Sequence, residues 1–96
     1  MTQRITEKML QARIDYLNRI TGSPESPYAP GEDGKMKAQI GNYHLSHAYG
    51  GVCVHRMSNE HGGINTPIIS YHAPKRECFD ALGAYIDGYE ACKRGE

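Results

Sequence analysis

Two glycine pairs, Gly50-Gly51 and Gly62-Gly63, bracket the short run Val52 to Met57, and this punctuation constrains the fold more than anything else in the chain. Glycine takes positive φ and lets the backbone approach another group closely, which no residue with a Cβ does cheaply. Both ends of the bracketed strand therefore carry chain that can lie against a ligand. The tight AYGG before it argues for an antiparallel hairpin with the preceding strand.

On either side the pattern turns helical. From about Gln3 to Ile20 apolar residues fall at Ile5, Met9, Leu10, Ile14, Tyr16, Leu17 and Ile20, with Thr2 as the N-cap and Gly22 followed by Pro24 as the stop. SPESPYAPGEDGK then holds three of the five prolines and no periodicity, so it reads as an irregular surface connection. Tyr28 within it is either a fixed wall of a pocket or interface, or part of a solvated arm. After the Asp33-Gly34 turn, Lys35 to Leu45 alternates loosely and predicts a strand burying Met36, Ala38 and Ile40 on one face. Pro67 to Tyr71 predicts a short third strand, at an edge because proline opens it. From Pro74 to about Lys93, Cys78, Phe79, Leu82, Tyr85, Ile86, Tyr89 and Cys92 keep helical spacing, and Gly95 ends the run. The predicted order is helix, strand, strand, strand, helix: an α+β fold with both helices on one face of a small antiparallel sheet and the other face free.

Ninety-six residues suffice for a single domain (1–96) with a modest core. Eleven basic and eleven acidic residues balance, so no field steers DNA, RNA or an anionic membrane toward the chain. The opening MTQRITEKML is too polar for a secretory signal, and no apolar run approaches the ~20 residues of a membrane span, so the expected location is the cytosol. Cys53, Cys78 and Cys92 are odd in number and lack CxxC spacing, which speaks against disulfides or a zinc knuckle and for small core residues. Seven tyrosines against one phenylalanine and no tryptophan suit partly wet pockets and subunit interfaces. A core this small makes oligomerisation an expected source of stability.

Catalysis finds little support. His44 and His47 are three apart on a strand and point to opposite faces; His44 meets His55 only if Tyr49 and Gly50 form the turn, and no further ligand joins them, so no metal is expected. Cys53 has only His55 as a same-side neighbour, Cys78 falls on the apolar stripe, and Glu60 has no partner carboxylate. Binding suits the residues better. Tyr49 offers a flat face for a base, Asn59 a donor and an acceptor for a base edge or ribose, and Arg76 a fork for phosphate. Lys75 and Arg76 sit in the first turn of the second helix, where the macrodipole disfavours cations and an anion would relieve the conflict. Arg56 on the bracketed strand and the four glycines complete the candidate set. Each member also has an ordinary reading: Tyr49 as turn filler, Asn59 as turn-former, Arg76 as a solvated charge offset by Glu77 and Asp80.

AYGG, RMSNEHGG and PKRE, together with LNRITGSPESPY at the end of the first helix, resemble the small phage and prophage proteins of the Thoeris anti-defence one family, over about Leu17 to Tyr89. The resemblance implies a non-enzymatic sponge that sequesters cyclic ADP-ribose isomers made by bacterial TIR-domain enzymes, and for some members cyclic oligonucleotides, with no cofactor. It also implies a homo-oligomer built from dimers, up to a hexamer, with pockets where subunits meet. The family's aromatic, asparagine and arginine positions match Tyr49, Asn59 and Arg76, with tyrosine where phenylalanine is expected. No basic residue of a second, oligonucleotide pocket maps onto Ser23 to Asp33, and the chain is short for the family. The competing expectation is a phage protein that inhibits a host protein through its free sheet face.

Overall fold

The computed structural model describes residues 4–95. Helix α1 spans Glu7–Thr21 and helix α2 spans Lys75–Lys93. The first begins later than its apolar stripe suggests. Thr6, not Thr2, is the N-cap: its backbone is extended and its side chain accepts a hydrogen bond from the Met9 N–H at 3.2 Å. Thr2 lies outside the described residues. Gly22 ends α1 at φ 69°, where its N–H caps the Arg19 carbonyl, as the Gly22-Pro24 signal predicts. Pro74 precedes α2 with φ −55°, already suited to a helix start.

Two small antiparallel sheets lie between the helices in sequence. Strands β1 (Tyr28–Pro30) and β2 (Met36–Ala38) form one; β3 (Tyr43–Ala48), β4 (Gly51–Met57) and β5 (Ile64–Asn65) form the other, in the order β3-β4-β5. This is the expected α+β class, with three corrections. The proline-rich segment contributes a strand, because Asp33 and Gly34 (φ 80°) close a hairpin that pairs Tyr28 with Ala38 and Pro30 with Met36. The stretch Lys35 to Leu45 is two strands, broken at Gly41 (φ 93°), and Met36 and Ile40 are each 61% exposed instead of buried. Finally, Pro67 to Tyr71 is not a strand. The third strand is Ile64–Asn65, and only Ala73 beyond it returns to bridge Val52.

Alternation along β3 and β4 sends Tyr43, Val52 and Val54 into a core with Leu10, Ile14 and Leu17 of α1 and Cys78, Leu82 and Ile86 of α2, so both helices cover one sheet face. At the outer edge of β3 there is no further strand among the described residues, and a side chain substitutes for one. Buried Asn18 donates through Nδ2 to the Tyr43 carbonyl at 2.9 Å and accepts from the Tyr43 N–H at 2.8 Å. The opposite face is not bare. Cys53 there is 1% exposed, with its thiol directed at the Ile69 carbonyl, while His72 meets Ser46 across it. Cys53 and Cys78 are buried as expected, whereas Cys92 is exposed.

Candidate functional site

Residues Tyr49 and Gly50 form the two-residue turn of the β3–β4 hairpin, at φ 53° and 74°. Two successive positive φ values match the right-handed twist of the flanking strands. Glycine takes such a value freely; tyrosine does so at a cost of roughly 1–2 kcal/mol. A strained aromatic residue that is also 98% exposed points to a role outside its own fold. The two glycines of this pair do different jobs. Gly50 supplies the positive φ, while Gly51 allows close approach, since a Cβ there would lie 2.9 Å from the Ala73 carbonyl oxygen.

That approach brings the start of α2 to the hairpin tip. A cavity of about 350 Å³ is lined by Gly50, Gly51, Ala48, Val52, His47, Glu7 and Lys75. Arg76 is exposed in the same helical turn as Lys75. Pro74 has no side chain able to cap the first N–H groups of α2, which leaves them suited to an anion. Glu7 sets the other side of the cavity and meets His47 at 3.0 Å.

Asn59, Gly62, Gly63 and Arg56 lie at the far end of β4. The Asn59 Oδ1 accepts from the N–H groups of His61 and Gly63, both at 2.9 Å, so this side chain builds its turn. Gly62 takes φ 91° there, and the Tyr28 hydroxyl stands 3.3 Å from where its Cβ would be. Gly63 is pressed against the Asn59 amide and has no room for a side chain. The Arg56 guanidinium lies 5.3 Å from the centre of the Tyr43 ring. At ~3.3 Å per residue, β4 alone holds the two groups some 20 Å apart. One chain therefore assembles Tyr49, Gly50, Gly51, Lys75 and Arg76 at one end and Arg56, Asn59, Gly62 and Gly63 at the other.

A histidine row lies on the sheet face away from the helices; sequence reasoning raised its His44–His55 pair for a Tyr49-Gly50 turn but missed His72. The turn at Tyr49-Gly50 sets His44 opposite His55 with ring centroids 5.7 Å apart. His72 extends the row at 6.0 Å from His55 and 6.0 Å from Tyr49, and its Nε2 lies 3.2 Å from the Ser46 hydroxyl. Its place could not be read from alternation, because the chain before it is not a strand. The Asn42 amide donates to the Pro24 carbonyl at 2.7 Å, so its Oδ1 accepts from His44 Nδ1 at 3.2 Å. Among the described residues no group of three or more His, Cys, Asp and Glu is placed to hold a metal ion.

Burial, and then the neighbouring imidazole, lowers the pKa of His44 through His55 and that of His55 through His72. A depressed histidine pKa means the unfolded chain binds more protons in acid, so this contribution to stability is whole above the ordinary histidine value and is lost as pH falls below it. The thermal midpoint should drop between pH 8 and pH 5.5, and His44→Gln with His55→Gln should flatten that slope. An unchanged slope in the double variant would assign the acid sensitivity elsewhere. Both buried thiols are shifted away from nucleophilicity: burial raises Cys53, and burial with Cys53 nearby pushes Cys78 up to about 11.

No helix among the described residues is long and apolar enough to cross a membrane. Comparison with protein-family models, curated proteins and solved structures found no match.

Proposed function

We propose that the protein is a phage-encoded anti-defence sponge: it binds a cyclic ADP-ribose isomer made by TIR-type immune enzymes in the cytoplasm of the bacterial host, and holds it without cleaving it. The observation that carries this reading is the hairpin tip. Gly50, Gly51 and Lys75 line one cavity with Glu7 and His47, at a helix start without a side-chain cap; Arg76 lies in the same helical turn as Lys75, and the fully exposed Tyr49 ring stands on the adjoining turn. The ring stacks on a base, and the cations and helix N–H groups take the pyrophosphate. Asn59 and its glycines read the other part of the ligand from a second copy, which fits an oligomer with pockets between subunits. Cyclic oligonucleotides present the same base and phosphate chemistry and are a second ligand class for the same groups.

Sequestration asks for slow release, and a pocket closed by two subunits supplies it. Turnover is not part of the reading, and the state of the released ligand tests this. Protein exposed to TIR-enzyme product, freed of unbound material and then heated should release intact cyclic nucleotide, read by mass spectrometry. Linear fragments in place of intact ligand would make it a phosphodiesterase. Release of nothing, together with a stoichiometric host protein in pull-downs, would favour the inhibitor reading instead.

A further inference from the structure

From β5 to α2 the chain runs beside β4 as a strap, residues 66–72, with no regular secondary structure. Its anchors are few. At its end Ala73 exchanges backbone hydrogen bonds with Val52, at 2.8 and 2.9 Å. Before that, the Cys53 thiol donates to the Ile69 carbonyl at 3.3 Å, and Ile68 and Ile69 rest half-buried against the core. The remaining hold is His72. Its Nε2 lies 3.2 Å from the Ser46 hydroxyl, and its ring stands edge-on to those of His55 and Tyr49, each with centroids 6.0 Å away. Because only Pro74 separates Ala73 from Lys75, whatever keeps Ala73 on Val52 also keeps the start of α2 against Gly51.

We propose that the strap is a proton-operated latch: in acid, charge on the His55–His72 pair drives it off the sheet and carries the start of α2 away from the hairpin tip. The two rings are half-buried and face each other, so a proton on one opposes a proton on the other. Around them stand His44 and the Ser46 hydroxyl on β3, Tyr49 at the turn, and the buried Cys53 thiol two residues from His55 on β4. The first turn of α2 adds Lys75, Arg76 and Glu77, and Glu77 is taken by the Tyr71 hydroxyl. Burial first, and then His72, hold the pKa of His55 below its ordinary value. Opening the strap removes both causes, since water reaches the ring as His72 leaves. The open form therefore binds protons more tightly: the strap stays closed above the ordinary histidine value and opens as pH falls below it. A segment tied by so few backbone bonds opens at less cost than the whole domain unfolds. At the hairpin tip, acid should then release a bound ligand. Charge alone predicts the reverse, because a cationic His72 three residues from Lys75 would draw an anion in. This consequence for the ligand rests on the sequestration reading; the latch itself does not.

Amide hydrogen exchange of the ligand-free protein, followed by NMR, tests the latch. The Val52 and Ala73 N–H groups bond across the bridge and report on it directly. Between pH 7.5 and pH 5.5 their protection, corrected for intrinsic exchange, should fall by about threefold or more beyond any fall at the Leu82 amide in the core. His72→Gln, which keeps a polar group for Ser46, and His55→Gln should each hold the bridge closed at the lower pH. Equal loss at all three amides, or a bridge that opens in acid to the same extent in both variants, overturns the latch. Calorimetry with the cyclic nucleotide then tests the coupling to α2. Wild-type binding should weaken in acid and that of His72→Gln should not; tighter binding by the wild type in acid overturns the coupling. Binding at neither pH would sink sequestration and leave the latch to stand on the exchange result.

Discussion

Asn18→Leu should lower the unfolding midpoint more than any surface change. The asparagine is buried, and its amide serves both backbone groups of Tyr43 at the outer edge of β3. Leucine has the same branching and number of heavy atoms, though bulkier ends, and serves neither. Each buried group left without a partner costs about 1–3 kcal/mol, so the loss of both is roughly 2–6 kcal/mol. Whole domains hold only about 5–15 kcal/mol of stability, and for this size each kcal/mol moves the thermal midpoint by about 4–8 °C. A fall of about 10–50 °C is therefore expected. Asn18→Asp sharpens the test: it keeps an acceptor for the Tyr43 N–H, loses the donor to the carbonyl and buries a charge. Its destabilisation should ease in acid, as the carboxyl is protonated. A leucine variant within about 0.5 kcal/mol of wild type would show that water or a shifted edge satisfies Tyr43 equally well.

The second large effect concerns ligand retention. Tyr49→Ala removes the exposed ring, worth about 1–3 kcal/mol per stacked base, or roughly five- to 150-fold in affinity. Arg76→Ala and Lys75→Ala remove charge at the start of α2 and should lessen the salt dependence of binding as well as its strength. Asn59 needs a gentler change. Alanine there would take away the acceptor for His61 and Gly63 and loosen the turn, so a lost ligand would say little about contact. Asn59→Asp keeps an acceptor oxygen and removes the amide donor; it should cost affinity while the fold persists. Calorimetry with the cyclic nucleotide would decide, and undiminished binding by both Tyr49→Ala and Arg76→Ala would remove the hairpin tip from the site.

Much of this architecture is legible in the chain because it follows from local rules. Helical periodicity places α2 within a residue of its observed start, since Pro74 and the apolar stripe agree. Gly22 stops α1 through its own backbone. The AYGG hairpin is equally local, its two residues adopting the positive φ values that a tight turn requires. The bracketed strand has the expected extent for the same reason, Gly51 opening it and the Asn59 turn closing it.

Other features depend on what packs beside them. Met36 and Ile40 look like one buried face, but Gly41 breaks the strand, and exposure follows from the β1–β2 arm standing away from the helices. Ile68 and Ile69 pack against the core without joining the sheet, so apolar character alone misleads there. His72 gains ring neighbours only because Ala73 bridges Val52. Asn18 becomes a substitute strand partner for a residue twenty-five positions away.

Residue order by itself determined the two helices, a hairpin at AYGG whose register stayed open, and the presence of a ring, two cations and an amide, because capping, periodicity and glycine conformation act over a few neighbours. Tertiary structure alone decided that these groups fall at two ends of one strand, that a histidine row lines the far face, and that the arm stands open. Those outcomes depend on which distant segments share an edge, and hydrogen bonds across that edge, not local preference, select them.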